Sequence, residues 1–402
     1  MKRGRGNGFS LIELMVAMVI LLAVMAAAVG ALIQTQHVTE AVALQANVQE
    51  NLRAGMHFLV QDLTQSGVQI PPGGISIPSN AGVSNMARPG TAPATIFQYG
   101  PGPTTYTTLS AIMPGWQLGA NSTSVNPVTG ANLANGGATD IVNILYADTS
   151  LVDSSAAKNL LNSAPINQVA PAVPACPAGA ITTAPTVDTV TLDPGCFTMP
   201  GGPTPIGVGN LMLFVNANGN ALEYVTSVAG QKISFNQGDP AGLNATGQPS
   251  GTLAALKAGN GLFPPTSITR IWMVTYYIDI TDPQRPQLVR QVNYPNDPVA
   301  APVNPPQAVA DVIENLGFSY DIINSAAPAG SYPLGAGDAP TPWPGSDTPS
   351  QIRAINVSLA ARSEYPYRGG QAPLYFRNNL STQVSIRNMS FIDLFGTSTT
   401  AP

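Results

Sequence analysis

Charge is scarce in this sequence. Asp, Glu, Lys and Arg make up 9% of its 402 residues, where soluble domains carry about 25%. The balance is −5 at pH 7, which argues against a general nucleic-acid binder with its basic excess. Disorder driven by charge is excluded too, because 44% of the residues are hydrophobic. Histidine is nearly missing: His37 and His57 are the two present. Everything beyond residue 57 therefore lacks the base on which Ser-His-Asp and Cys-His hydrolases depend. No CxxC pair, HExxH or GxxxxGKS/T loop occurs, so the common short signatures of zinc and nucleotide chemistry are absent. No Gly-X-Y period runs through the 39 Gly and 38 Pro, which excludes collagen.

Carboxylates could still form a glycosidase pair. Asp279 and Asp282 flank a predicted turn, however, and Glu364 and Asp393 stand apart in the sequence. Asn216, Asn218, Asn220 and Glu223 lack the several aspartates of a calcium loop and read as a turn. No catalytic residue, metal site or cofactor is expected.

Proline is missing from the first 70 residues, and a long apolar run lies there. A leader with Lys2, Arg3 and Arg5 precedes a nearly unbroken apolar run from Phe9 to Ile33. As a helix that run measures about 37 Å, enough for a hydrocarbon core of about 30 Å. The flanking cations keep its N-terminal end cytoplasmic. One residue does not fit: Glu13, a carboxylate inside the apolar run. An ionisable residue there is a functional candidate by default. An ordinary signal peptide or a plain signal anchor would give no reason for it.

Gly8-Phe9-Ser10-Leu11-Ile12-Glu13-Leu14 resembles the type IV prepilin signature. The resemblance implies cleavage between Gly8 and Phe9 by prepilin peptidase and N-methylation of Phe9. It also makes Glu13 the family's intramembrane glutamate, neutralising the Phe9 amine of a neighbouring subunit. In low dielectric such a pair attracts strongly and either partner alone is costly.

Beyond Gln34 the apolar residues Leu44, Val48, Leu52, Met56, Leu59 and Leu63 recur at spacings of three and four, one face of a helix. Glu40, Gln45, Gln49, Glu50, Gln61 and Gln65 take the opposite face. Gly67 and Pro71-Pro72-Gly73-Gly74 predict its end. The spine is thus one helix from Phe9 to Ser66, apolar all round in its first half and amphipathic in its second. Gly30 lies where local melting of a filament helix is allowed but not required.

The rest reads as strands and long loops. Residues 71–139 hold one charge, Arg88, and read as an irregular excursion with short strands. Strands are predicted over 139–147, 211–215, 222–227, 232–236, 270–280, 287–294 and around 355–359 and 380–386, from alternation and β-branched content. Asn218-Gly219 suits a type I′ turn. Val309, Val312, Ile313 and Leu316 have helical spacing, with a strand from Phe318 to Ile323. Trp272, Tyr276 and Tyr277 read as core packing. The class is α+β, a pilin-like long helix packed on an antiparallel sheet head with long loops. Four segments are expected: a leader 1–8, a membrane or filament-core helix 9–33, an amphipathic helix 34–67 and a head 68–402.

Several head motifs resemble the PilW group of minor pilins: the helix end Leu59-Val-Gln-Asp-Leu-Thr-Gln-Ser-Gly67, the YYI…LVR hairpin, VADVIENLGFSY and STQVSIRN. The resemblance implies inner-membrane insertion with the head periplasmic, then incorporation in a pilus. It implies other minor pilins, the major pilin, the assembly platform and membrane lipid as partners. Nucleic acid is not expected among them. Beyond the inner membrane the compartment is oxidising, so Cys176 and Cys196, enclosing 19 residues, would form a disulfide; two free thiols are the alternative. A type II secretion pseudopilin of the GspJ type and a pilin-anchored adhesin stay open beside the minor pilin.

Overall fold

The structure, a computed structural model, describes residues 10–80, 83–84, 86, 88–89, 107–120, 138–148, 164–166, 180–183, 187–191, 206–230, 232–245, 248, 250–259, 261, 263–264, 266–294, 305–324, 327–332, 348–367, 375–386 and 388. Lys2, Arg3, Arg5, Gly8, Phe9, Cys176 and Cys196 lie outside them. The chain divides into two compact units, residues 1–50 with 362–378, and residues 51–361 with 379–402.

One helix, Leu11–Gln65, runs through the predicted spine without interruption at Gly30. In the first unit every residue from Ser10 to Gln36 is exposed, including Leu11 at 78% and Val19 at 66%. An apolar surface of this length needs a bilayer or a protein partner to cover it. The Thr35 and Thr39 hydroxyls donate to the carbonyls of Ala31 and Thr35, each at 2.9 Å. Two polar side chains near the end of the run are thereby satisfied within the helix.

In the second unit the same helix turns one face inward. Leu52, Met56, Leu59 and Leu63 are buried, as their spacing predicts. Gly55 lies where a side chain would not fit. A Cβ there would sit 2.9 Å from Leu288 Cδ2 and 3.2 Å from Ala310 Cβ. The helix ends as Gly67 adopts φ 80 and donates its N–H to the Leu145 carbonyl at 3.0 Å. This left-handed glycine cap ties the helix end to the sheet.

An eight-stranded antiparallel sheet forms the centre of that unit. Its axis is the 14-residue strand Thr266–Asp279, rich in the β-branched and aromatic residues that suit strands. Along one edge it pairs with Leu211–Asn216 and then Gln287–Val292. Ile141–Ala147 pairs with it over Ile271 to Tyr276, and Ala164–Ile166 over Thr266 to Ile268. All seven residues of Ile141–Ala147 are buried. Ala180–Thr182, Val187–Thr191, Ser227–Ala229 and Lys232–Asn236 form a smaller sheet. A third, in the order Ala327–Tyr332, Ile313–Asn324, Ile352–Arg362 and Arg377–Ser385, closes the fold. Within Arg377–Ser385 only Val384 is buried and its sequence neighbours are exposed, the one-wet-face pattern its alternation predicts.

Two expectations are corrected. Residues 309–316 are not a helix but two strands, Gln307–Asp311 and Ile313–Asn324, broken at Val312 with φ 55. The left-handed residue bends the chain, so buried positions separated by three and four mimic helical spacing. Pairing partners on both sides, Gln287–Val292 and Ile352–Arg362, decide for the strand. In the hairpin Leu211–Asn216 with Gly219–Tyr224, the two connecting residues are Ala217 and Asn218. Neither has positive φ, and Gly219 takes φ 142 instead, so the turn is not type I′.

Candidate functional site

The N-terminal end of the helix is built around Ser10 and Glu13. The Glu13 and Leu14 N–H groups donate to the Ser10 carbonyl at 3.0 and 3.3 Å. Glu13 Oε2 accepts the Ser10 N–H at 3.0 Å. This is half of a capping box: a carboxylate one turn into the helix satisfies an orphan donor and faces the positive end of the helix dipole. Glu13 is therefore bonded locally, within its own helix end. The spacing Ser-x-x-Glu was legible in the sequence, where Glu13 stood as the glutamate of the prepilin-like signature inside an apolar run and not as a helix cap.

The second feature locks the far end of the helix to the sheet. Asp62, 4% exposed, takes four donors. Arg290 donates Nε to Oδ2 at 2.7 Å and Nη2 to Oδ1 at 3.0 Å. The Tyr276 hydroxyl donates to Oδ2 at 2.5 Å and the Tyr146 hydroxyl to Oδ1 at 3.1 Å. The fork of Arg290 fits a carboxylate in two parallel bonds, the strong form of such a pair. Burial, and then the Asp62 charge, pushes both tyrosine hydroxyls upward. For Arg290, burial opposes its charge, but the Asp62 bond and charge outweigh this and raise it. Both carboxylate oxygens are occupied, so the cluster is a clamp rather than an acid–base device. Sequence reasoning assigned Tyr276 to core packing and gave Asp62 no role. The signal was a lone Asp on an otherwise apolar helix face.

Other buried polar groups are structural. Asp140 accepts the Gln117 N–H at 2.9 Å and the Phe318 N–H at 2.8 Å. Burial outweighs these two bonds and pushes its carboxyl up to about 6. Burial, and then the Asp188 charge, raises the Glu223 carboxyl well above its ordinary value. Its Oε1 accepts the Leu253 N–H at 3.2 Å. Asn216 Oδ1 accepts the Asn218 N–H within the turn, while Asn220 Oδ1 accepts the Ser76 N–H and ties the hairpin to residues 74–76. Among the described residues no group of three or more His, Cys, Asp or Glu could hold a metal ion. His57 is exposed, with its ring 6.1 Å from Phe58. A cleft of about 130 Å³ lies beside Gly67, Ile70, Ser110, Gln351 and Arg353, well below the roughly 300 Å³ of an ordinary ligand pocket.

Comparison with known proteins bears on the N-terminal feature. Residues 3–29 match the family model described as the prokaryotic N-terminal methylation motif. The matched stretch includes Arg3, Arg5, Gly8, Phe9 and Glu13. It is the prepilin cleavage motif, and it implies processing by prepilin peptidase. The chain is type IV pilin-like, with a long apolar N-terminal helix on antiparallel sheets. No curated protein and no solved structure matches it.

Proposed function

We propose that this type IV pilin-like chain is a minor pilin of the PilW kind, acting in a tip or priming complex of a type IV pilus. The observation that carries the reading is a helix of two halves. Its apolar half is exposed from Ser10 to Gln36, and its other half is clamped to a β head through Asp62. Such a chain is shaped to insert one end in a membrane or filament core and to present the other. The head spans 335 residues by the sequence boundaries 68–402, a bulk that suits a cap better than a repeating subunit.

On this reading the leader 1–8 is removed after Gly8, Phe9 is methylated, and residues 9–33 hold the chain in the inner membrane. Glu13 then exchanges its local bond to Ser10 for the amine of a neighbouring subunit. Other minor pilins, the major pilin and the assembly platform are the partners. Cys176 and Cys196 pair in the oxidising periplasm.

The test is deletion of the gene, complemented by wild type, Gly8→Ala or Glu13→Ala, with surface pili, twitching and protein secretion scored together. Deletion removes pili and spares secretion. Gly8→Ala leaves the precursor uncut on an immunoblot. Glu13→Ala is processed but fails to restore pili. Full piliation with Glu13→Ala refutes the charge-pair account. A secretion defect with normal pili makes the chain a pseudopilin instead.

A further inference from the structure

Residues 362–378 belong to one compact unit with the first fifty residues of the chain. The described part of this strap, 362–367 and 375–378, has an unusual composition. Tyr365, Tyr367, Tyr375 and Phe376 are four of its ten residues, against 6% aromatics in the whole chain. Arg362 and Arg377 outnumber Glu364, although the chain as a whole is acidic.

The described residues of the strap bond to one another. The Ser363 N–H donates to the Phe376 carbonyl at 2.7 Å, and the Phe376 N–H donates to Ser363 Oγ at 3.1 Å. The Arg362 guanidinium lies 4.6 Å over the Tyr375 ring. Tyr367 meets Phe376 edge-on at 5.5 Å and His37 at 6.3 Å between ring centroids. Tyr365 is 62% exposed. Arg377 is exposed as well, with its guanidinium 5.9 Å from the Tyr375 ring centroid.

The contact with His37 sets the depth of the strap. The apolar run 9–33 ends at Ile33, which sets Ile33 at the outer boundary of the hydrocarbon core and leaves Glu13 inside it, toward the cytoplasmic end. His37 stands four residues beyond, about 6 Å farther. The headgroup layer is about 5–8 Å deep on each side. Tyr367 is therefore held at headgroup level. Tyrosine suits that level because its ring is apolar and its tip polar, and arginine there attracts anionic lipid.

We propose that the strap is a second membrane contact. Tyr365 and Arg377 engage anionic phospholipid headgroups on the outer face of the inner membrane before assembly. This rests on the reading of residues 9–33 as a membrane span. A lone helix leaves the chain free to spin about the membrane normal. A second contact removes that freedom and holds the unassembled subunit in one orientation.

The test reconstitutes the full chain in nanodiscs of phosphatidylethanolamine with phosphatidylglycerol, or of phosphatidylcholine alone. Amide exchange is followed by mass spectrometry. Peptides covering 363–367 exchange about fivefold more slowly in the anionic discs, the effect of one exposed arginine. Tyr365→Ser combined with Arg377→Gln abolishes the slowing, while peptides over 287–292 keep wild-type protection and report an intact fold. Equal exchange in both disc types, or unchanged slowing in the double variant, overturns the proposal. Carbonate-resistant retention on the discs reports the span separately. Its loss overturns both readings, and its presence without strap protection overturns this one alone.

Discussion

Replacing Asp62 with Ala removes the one carboxylate that four donors share. The Arg290 side chain is 20% exposed and that of Asp62 is 6% exposed, so the pair is mostly shielded from water. Breaking a buried pair by deleting one partner costs about 3–5 kcal/mol. Arg290 retains some access to water, which places the loss near the lower end, at about 3 kcal/mol. The two tyrosine hydroxyls lose their acceptor at the same time, and an unmade buried hydrogen bond costs about 1–3 kcal/mol. A total loss of about 5 kcal/mol follows, taking the lower figure for each hydroxyl. The assay is urea unfolding of the full chain in detergent micelles, read by tryptophan fluorescence. With a slope of about 3 kcal/mol/M, the midpoint falls by more than about 1 M. Tyr276→Phe, which deletes the shorter of the two tyrosine bonds, lowers stability by about 1 kcal/mol. Combining Asp62→Asn with Arg290→Gln costs less than the two single changes added together, because the stranded charge is gone. A midpoint shift below about 0.3 M for Asp62→Ala, or strict additivity in the double variant, refutes the clamp.

Two further outcomes follow from the packing and the charges. Gly55→Val pushes a branched side chain into Leu288, Ala310 and Leu359. Overpacking of this kind outweighs the gain in helix propensity and lowers stability by about 2 kcal/mol in the same urea assay; an unchanged midpoint would show that helix and sheet separate freely. Asp140 has its carboxyl raised from 3.8 to about 6 in the folded chain. Its contribution is complete below about pH 4 and is lost as pH rises through about 6, an effect of about 3 kcal/mol at most. Thermal unfolding between pH 4 and 7 reads the decline, and Asp140→Asn flattens it.

The sequence by itself determined the features that are contiguous. The methylation motif occupies neighbouring residues, so Gly8, Phe9 and Glu13 could be read without knowing the fold. The long helix was legible because its apolar positions follow its own 3.6-residue period, free of proline. The strands expected at 139–147, 232–236 and 270–280 announced themselves by β-branched runs or alternation and are found at 141–147, 232–236 and 266–279. Tertiary structure alone decided what depends on distant partners. Asp62, Tyr146, Tyr276 and Arg290 come from four separate elements, and no local pattern links them. Val312 bends the chain because strands on both sides hold residues 307–324 extended, which overrides a helical spacing. Residues 362–378 join the first fifty residues although more than three hundred positions intervene. Local periodicity records which face of an element is buried. Register, crossing and long-range bonds are set by the whole chain at once, and one segment's sequence does not contain them.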